Sequence, residues 1–122
     1  MRVAITGISG SLGRALTYRL VMDGADRIVG FSRDEQKRAQ LHEQFGQHPG
    51  FRVMAGDVRD GDRMVDLFRG CEVVVHAAAR KVVTAHPDEP EEMLKTNILG
   101  TTNDIAAAYR AGVGKVLLIS SD

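Results

Sequence analysis

The 122-residue sequence has a single cysteine, Cys71, and no excess of charge of either sign. A lone thiol excludes an internal disulfide and a cysteine-based metal cluster, and it is typical of a protein from a reducing compartment. Sixteen basic and sixteen acidic side chains give a formal net charge of zero. The overall charge therefore gives no reason to expect binding to nucleic acid or to an anionic membrane surface.

Long apolar runs are also missing from the sequence. No stretch approaches the roughly 20 apolar residues that a membrane-spanning helix requires, and no signal-peptide pattern precedes the first helix candidate. We expect a cytoplasmic chain with no membrane contact from this segment. Hydrophobic residues make up 43% of the sequence, enough for one core, so residues 1–122 are expected to form one domain.

Short apolar runs alternate with helix-like segments along the whole chain. Most of the runs are continuously apolar, which is typical of parallel strands covered by helices on both faces. The predicted strands are Arg2–Thr6, Arg27–Phe31, Phe51–Ala55, Val73–His76 and Lys115–Ser120, and the predicted helices are Ser11–Asp23, Asp34–Phe45, Asp60–Phe68 and Asp88–Ala111. This order predicts an α/β fold, a Rossmann-type doubly wound parallel sheet of five strands in the order 3-2-1-4-5. Its ligand crevice would lie between the ends of the first and fourth strands.

Three glycines with the spacing G-x-x-G-x-x-G follow the first predicted strand. Gly7 suits a tight turn, Gly10 leaves room for a pyrophosphate beside the backbone, and Gly13 lets the next helix lie close to the strand. That helix is expected to begin near Ser11, so its first N–H groups and its dipole can bind an anion. The stretch predicts a dinucleotide-binding loop, and the alternative is a glycine-rich connector.

The residues after the second strand bear on the choice of cofactor. A free ribose 2′-hydroxyl is usually bound there by an acidic residue, whereas a 2′-phosphate requires cationic groups. Ser32, Arg33 and Lys37 can supply a hydroxyl and two cations, so they favour NADP over NAD. Asp34 is interpreted as the N-cap of the second helix rather than as a ribose ligand. The alternative is that Arg33 and Lys37 are ordinary solvated charges.

Two other strand ends carry candidate cofactor contacts. Asp57 can accept a hydrogen bond from the adenine amino group, with Val58 against the ring, and the alternative for Asp57 is an Asx turn. After the fourth strand, the small residues Ala77, Ala78 and Ala79 would let the backbone pass close to a cofactor.

Two polar residues are predicted to lie in apolar surroundings. His76 is interpreted as a strand-end residue of the core rather than as a catalyst, and no second histidine lies at metal-ligand spacing, so we expect no metal site. Asn97 shares one face of the predicted fourth helix with apolar residues. A buried amide needs partners, so Asn97 is expected to bond to the backbone of the neighbouring strands and hold their ends in place.

Four motifs spread over the whole chain carry a family resemblance. They are Thr6-Gly7-Ile8-Ser9-Gly10-Ser11-Leu12-Gly13, Gly56-Asp57-Val58-Arg59-Asp60, His76-Ala77-Ala78-Ala79 and Thr96-Asn97-Ile98-Leu99-Gly100-Thr101. Together they resemble the cofactor-domain motifs of the extended short-chain dehydrogenase/reductase family.

Three further stretches narrow the likeness. They are Ser32-Arg33-Asp34-Glu35-x-Lys37, Ala79-Arg80-Lys81-Val82 and Ile119-Ser120-Ser121-Asp122. These are similar to the inverting UDP-N-acetylglucosamine 4,6-dehydratase branch, the polysaccharide-biosynthesis proteins that begin the synthesis of modified nucleotide sugars. In that branch NADP transiently oxidises the sugar, water is eliminated, and the hydride then returns.

The resemblance implies catalytic roles near the end of the chain. Ser121 and Asp122 match the Thr-Asp portion of a Thr-Asp-Lys catalytic sequence, with serine in place of threonine, and Lys81 matches a lysine near the nicotinamide and the substrate. The catalytic lysine would be the next residue, and the tyrosine base would follow further on. We therefore expect an N-terminal portion, truncated after the fifth strand and inactive without those residues and a substrate domain.

The candidate cofactor-binding residues lie in these motifs or at the ends of the predicted strands. They are Gly7, Ser9, Gly10, Ser11, Leu12, Gly13, Ser32, Arg33, Lys37, Asp57, Val58, Ala77, Ala78, Ala79, Lys81, Asn97 and Ser120.

Three functions remain open at this point. The first is the NADP-binding portion of a nucleotide-sugar dehydratase, whose longer parent would bind the nucleotide sugar. The second is a stand-alone dinucleotide-sensing module that regulates a partner. The third is a fragment of a related sugar epimerase or reductase. Because the predicted fifth strand would lie at an open edge with an apolar face, we also expect self-association through that edge.

Overall fold

The computed structural model describes residues 1–57, 59–77 and 105–119. The elements within these ranges follow the predicted order. They are β1 (Arg2–Thr6), α1 (Ser11–Met22), β2 (Arg27–Ser32), α2 (Glu35–Phe45), β3 (Phe51–Ala55), α3 (Gly61–Phe68), β4 (Val73–His76) and β5 (Lys115–Leu118). Residues 105–111 are also helical, and we call this segment α4.

The five strands form one parallel sheet in the order β3-β2-β1-β4-β5. This arrangement confirms the predicted Rossmann-type sheet and its strand order. The pairing places Thr6 beside His76 at the carboxyl ends of β1 and β4, and Ser32 beside Ala55 at the carboxyl ends of β2 and β3. We call this side of the sheet its carboxyl edge. In open α/β sheets, ligands bind outside the carboxyl ends of the strands.

Apolar side chains cover both faces of the sheet. Successive strand residues point to opposite faces, so Ala4 joins a cluster that includes Phe68 of α3, whereas Ile5 joins a cluster that includes Leu41 of α2. This double burial is the reason that β1 has no polar alternation. The cores formed by the two clusters hold the strand ends of the carboxyl edge in place.

Aspartate caps fix the starts of two helices. The carboxylate of Asp34 accepts the backbone N–H groups of Gln36 and Lys37, and that of Asp60 accepts the N–H of Arg63. The N-cap interpretation of Asp34 is therefore confirmed. The predicted starts of α2 and α3 were each one residue early, because a cap residue has extended rather than helical backbone angles.

Three other boundaries also differ from the sequence prediction. α1 ends at Met22 because Asp23 is its C-cap, and β2 continues one residue further, to Ser32. β5 ends at Leu118, where the pairing with β4 ends, instead of at Ser120; Ser120 lies outside the described residues, as does the part of the predicted fourth helix before residue 105.

The outer strand β5 is far more exposed than the central strands. Leu117 is 47% exposed and Leu118 is 53% exposed, whereas Val74 of the adjacent strand β4 is fully buried. Among the residues of β5, Val116 is the one that packs against the cluster that includes Phe68. Among the described strands, β5 lies at the edge of the sheet, as predicted.

Candidate functional site

The glycine loop between β1 and α1 has the backbone geometry that its spacing predicts. Gly7 has a φ of 75°, a left-handed value that glycine adopts without the steric cost of a Cβ atom. The N–H of Gly10 donates to the carbonyl of Gly7 at 3.1 Å, which closes the turn. Gly10 is the N-cap of α1, and the helix begins at Ser11 as predicted.

Gly13 brings the first turn of α1 close to the end of β1. A Cβ atom at this position would lie 2.6 Å from the Cα of Ile8 and closer still to the carbonyl oxygen of Gly7. At Gly10, by contrast, a Cβ atom would have an ordinary 3.5 Å contact with that same oxygen. The packing role predicted for Gly13 is therefore present, and among the described residues the Gly7 carbonyl is the one close neighbour of the space beside Gly10.

The start of α1 can bind an anion. Its N-cap makes no side-chain hydrogen bond to the first turn, so the N–H groups of Ser11 and Leu12 have no acceptor within the described part of the chain. These donors and the helix dipole form a site suited to a phosphate group. Across the loop, Ser9 is held by the Arg14 guanidinium, which donates to its carbonyl at 3.0 Å.

A buried hydrogen bond joins the ends of β1 and β4. Thr6 Oγ1 lies 2.8 Å from His76 Nδ1, and the direction of this bond follows the histidine tautomer. The N–H of Ala77 donates to the carbonyl of Thr6 at 2.9 Å. Thr6 and His76 are both buried, which confirms His76 as a strand-end residue of the core. The pair fixes the two strand ends between which the crevice was predicted.

The end of β2 presents cations to solvent. The Arg33 guanidinium is 62% exposed and lies 3.5 Å from Asp57. Lys37, in the first turn of α2, is exposed, and its ammonium has no ion-pair partner among the described residues. The Ser32 hydroxyl oxygen accepts the N–H of Asp34 at 3.2 Å, and its proton remains available for another acceptor.

Two arginines that sequence reasoning missed also hold the carboxyl edge. Arg38 donates to the carbonyl of Ser32 at 2.6 Å, and Arg63 donates twice to the carbonyl of Ala55 at 3.2 Å. Each lies in the first helical turn, three or four residues after an aspartate N-cap. This position relative to the cap is a sequence signal that could have identified them.

Asp57, at the end of β3, is surrounded by positive charge. Its carboxylate pairs with Arg59 at 2.7 Å and with Arg33 at 3.5 Å. Hydrogen bonds from the Arg59 side chain lower the pKa of Asp57 below its usual value, while partial burial opposes the shift. Its Oδ1 also accepts the backbone N–H of Arg59 at 2.9 Å, so the predicted alternative, an Asx turn, is present. The Arg59 and Arg33 groups together make five donor contacts to this carboxylate, which has about four lone-pair positions. An adenine amino group would therefore replace one of these contacts, and the longest is the 3.5 Å bond from Arg33.

An open depression of about 530 Å³ lies beside this carboxylate. Its lining residues are Asp57, Arg59, Asp60, Gly61 and Asp62. No residue of the glycine loop contributes to it, so it lies at the outer end of the carboxyl edge, on the side of α3.

The remaining candidate residues lie outside the described ranges. They are Val58, Ala78, Ala79, Lys81, Asn97, Ser120, Ser121 and Asp122. Their assignments remain predictions. Within the described ranges, no group of three potential metal ligands comes together, and no helix has the length and apolar character needed to cross a membrane.

Comparisons with known proteins place the chain in a family. The family model described as "Polysaccharide biosynthesis protein" matches residues 3–122. The inverting UDP-N-acetylglucosamine 4,6-dehydratase of Campylobacter jejuni subsp. jejuni serotype O:2 is 38% identical over 121 residues, which are 98% of this chain and 36% of the relative. The chain thus spans about a third of the length of that curated relative.

Two solved structures share the fold. Pen from Bacillus thuringiensis superposes with a TM-score of 0.86 at 32% identity, and the match covers 96% of this chain and 36% of the Pen chain. UDP-glucose-4-epimerase from Stenotrophomonas maltophila was solved with NAD and formylated UDP-arabinopyranose. It superposes with a TM-score of 0.81 at 28% identity, and the match covers 99% of this chain and 37% of the epimerase chain. With the family model spanning nearly every residue, the chain belongs to the polysaccharide biosynthesis protein family of extended short-chain dehydrogenase/reductases.

Proposed function

We propose that this chain is the NADP-binding portion of a nucleotide-sugar 4,6-dehydratase that acts in polysaccharide or surface-glycan biosynthesis. The observation that carries the proposal is the glycine loop, in which Gly7 turns the chain and Gly10 caps α1 without a side chain. The similarity to the dehydratase of Campylobacter jejuni supports the reaction class. In this proposal residues 1–122 supply the cofactor-binding domain.

Different residues of the carboxyl edge bind different parts of the cofactor. The N–H groups of Ser11 and Leu12 bind the pyrophosphate, because they are helix-start donors on the positive end of the α1 dipole. Arg33 and Lys37 bind the ribose 2′-phosphate, and the carboxylate of Asp57 accepts the adenine amino group. When bound, the nicotinamide supplies a reversible hydride acceptor for the sugar.

The sugar-facing roles rest on the family resemblance. Ser121 and Asp122 are proposed to contact the reacting sugar, with Lys81 near the nicotinamide; Ala77, Ala78, Ala79, Asn97 and Ser120 are proposed to line the cofactor crevice. The cytoplasmic location and self-association through β5 also remain predictions. The exposure of Leu117 and Leu118 is consistent with an additional partner at that edge.

A sugar epimerase is the second candidate function. It is supported by the structural similarity to UDP-glucose-4-epimerase, which was solved with NAD. The two reactions differ in their products, because dehydration removes water and epimerisation leaves the mass unchanged. Mass spectrometry of UDP-N-acetylglucosamine treated with the complete gene product separates them. A product lighter by one water supports the dehydratase, and an isobaric sugar nucleotide contradicts it.

The cofactor is tested by calorimetry with NADP and NAD. We expect tighter binding of NADP, and Arg33→Ala should narrow the difference by about 1 kcal/mol, near the lower limit for a charge-assisted bond because the guanidinium is largely exposed. Arg19→Ala is a matched control, since Arg19 is an exposed arginine paired with Asp23 at the far end of α1. Equal affinities for the two dinucleotides would contradict the NADP assignment.

A further inference from the structure

Two arginines share the carboxylate of Asp57 very unequally. Arg59 donates its Nη2 to Oδ2 at 2.7 Å and its Nε to both oxygens at 3.1 and 3.2 Å. Its backbone N–H adds a fourth bond, to Oδ1 at 2.9 Å. Arg33 reaches only Oδ2, at 3.5 Å. Asp57 is therefore bound mainly by Arg59.

This asymmetry determines which cation remains available. The cluster has one negative and two positive charges, and the close pair largely neutralises the carboxylate. Arg33 is left weakly held, with 62% of its side chain exposed, whereas the Asp57 side chain is only 25% exposed. A weakly held guanidinium can turn towards an incoming anion at little cost, because an exposed ion pair at this distance contributes little free energy.

We propose that Arg59 is a positioning residue for cofactor selectivity: it occupies Asp57 and thereby leaves Arg33 free to bind the ribose 2′-phosphate. This inference rests on the proposed NADP function. Arg59 does not contact the phosphate itself. It acts through Asp57, which is ionised at neutral pH like any ordinary aspartate and is held in place by the Arg59 hydrogen bonds.

Removing Arg59 would change both neighbours. The uncompensated Asp57 carboxylate would pair more closely with Arg33, and its negative charge would repel the 2′-phosphate. A further substitution, Asp57→Asn, would remove that competition while keeping an amide oxygen for the adenine amino group. Loss of selectivity in the single variant and its recovery in the double variant is therefore the signature of this role.

The experiment measures the affinities of adenosine 2′,5′-bisphosphate and adenosine 5′-monophosphate by calorimetry on the full chain. These probes differ only in the 2′-phosphate. Arg59→Ala should lower the ratio of the two affinities by about three- to fivefold, the upper part of the range expected for one partly exposed charge interaction. Arg59→Lys should retain most of the ratio, since it keeps a cation beside Asp57. Asp57→Asn combined with Arg59→Ala should restore the ratio to within about twofold of the original chain.

Each other outcome overturns the inference in an identifiable way. A double variant that stays as unselective as Arg59→Ala would mean that Arg59 binds the phosphate directly. An unchanged ratio in Arg59→Ala, or an equal loss of affinity for both probes, would mean that Arg59 has no selective role; in both cases the NADP proposal stands. An original chain that does not distinguish the probes would overturn the NADP proposal and this inference together. Arg19→Ala again controls for the loss of a paired, exposed arginine elsewhere.

Discussion

The carboxyl edge of the sheet has two regions that are built in opposite ways. We call the first, at the ends of β1 and β4, the crevice; it has the buried Thr6–His76 hydrogen bond and the tightly packed Gly13. We call the second, at the ends of β2 and β3, the rim; it has the exposed ion pairs of Asp57 with Arg33 and Arg59.

The difference indicates that the contacts of the crevice contribute mainly to stability, whereas those of the rim are available for ligand selectivity. Disturbing a buried hydrogen bond, or forcing apart two backbone segments that pack closely, costs a large fraction of the stability of a small domain. Exposed ion pairs contribute little to folding, so their arginines can exchange a protein carboxylate for a ligand phosphate. In the proposed function the crevice therefore fixes the position of the cofactor backbone, and the rim sets the preference between NADP and NAD.

The largest expected effect is that of Gly13→Ala in the crevice. The added methyl group would overlap the backbone at Gly7 and Ile8, and α1 could relieve the overlap only by moving away from β1. We expect a loss of about 2–4 kcal/mol in the free energy of unfolding, measured with urea.

Gly61→Ala is the matched control for this substitution. Gly61 is also in a first helical turn, but a Cβ atom there would meet none of the described residues within 4 Å, its chain neighbours and its own helix aside. Its effect should lie within about 0.5 kcal/mol. If the two variants are equally stable, the close approach at Gly13 does not hold the loop.

The next effect concerns the hydrogen bond in the crevice. Thr6→Val keeps the shape of the side chain but removes the hydroxyl that bonds to His76 Nδ1. Loss of a buried hydrogen-bond partner should cost about 1–2 kcal/mol. Chemical denaturation of both proteins measures the difference.

Thr17→Val provides the comparison, because Thr17 is equally buried. Its hydroxyl donates to the carbonyl of Gly13 at 2.7 Å, and that carbonyl is also the normal acceptor of the helical N–H of Thr17. The Gly13 carbonyl keeps that N–H donor in the variant, so the cost should stay below about 0.5 kcal/mol. Equal costs at both positions would show that the Thr6–His76 hydrogen bond contributes no more to the free energy of unfolding than the Thr17 hydroxyl does.

The smallest effect concerns the rim and depends on pH. The pKa of Asp57 is lowered in the folded protein, mainly by hydrogen bonds from Arg59. Its carboxylate therefore stabilises the fold above the unfolded pKa of about 3.9, and this contribution disappears as the pH falls through the lower folded value. Asp57→Asn should cost about 0.5 kcal/mol at pH 6, and the cost should vanish in strong acid.

Asp66→Asn is the control for this pH dependence, because Asp66 is an exposed carboxylate that pairs with Arg69 only at 3.9 Å. We expect almost no change at either pH. A cost for Asp57→Asn that persists undiminished in acid would mean that the ion pairs do not stabilise the rim.

The sequence was sufficient to predict the order of the described strands and helices and the backbone geometry of the glycine loop. Continuous apolar runs and the spacing of Gly7, Gly10 and Gly13 depend on local backbone geometry and double burial, so they predicted the strand order and the start of α1 correctly. The boundaries shifted by one or two residues where caps and strand pairing decide the end of an element, as at Asp60 and Leu118.

The rim was harder to predict because its contacts are between side chains distant in sequence. Arg33 meets Asp57 across 24 positions, and nothing in the local pattern indicates which of several exposed arginines a carboxylate will bind. The predicted residues after β2 and β3, Arg33 and Asp57, do lie together at this edge. Only the structure shows that Asp57 pairs more closely with Arg59 than with Arg33.

The proposed dinucleotide site is tested most directly by following the backbone amide signals of the chain in nuclear magnetic resonance during titration with NADP. We expect the largest shifts at Gly10, Ser11 and Leu12 and after β2 at Arg33, with the amides of Gly24 and Gly70, which follow the far ends of α1 and α3, almost unmoved. Shifts confined to those far helix ends, or no shifts at saturating NADP, would contradict a dinucleotide site at the carboxyl edge.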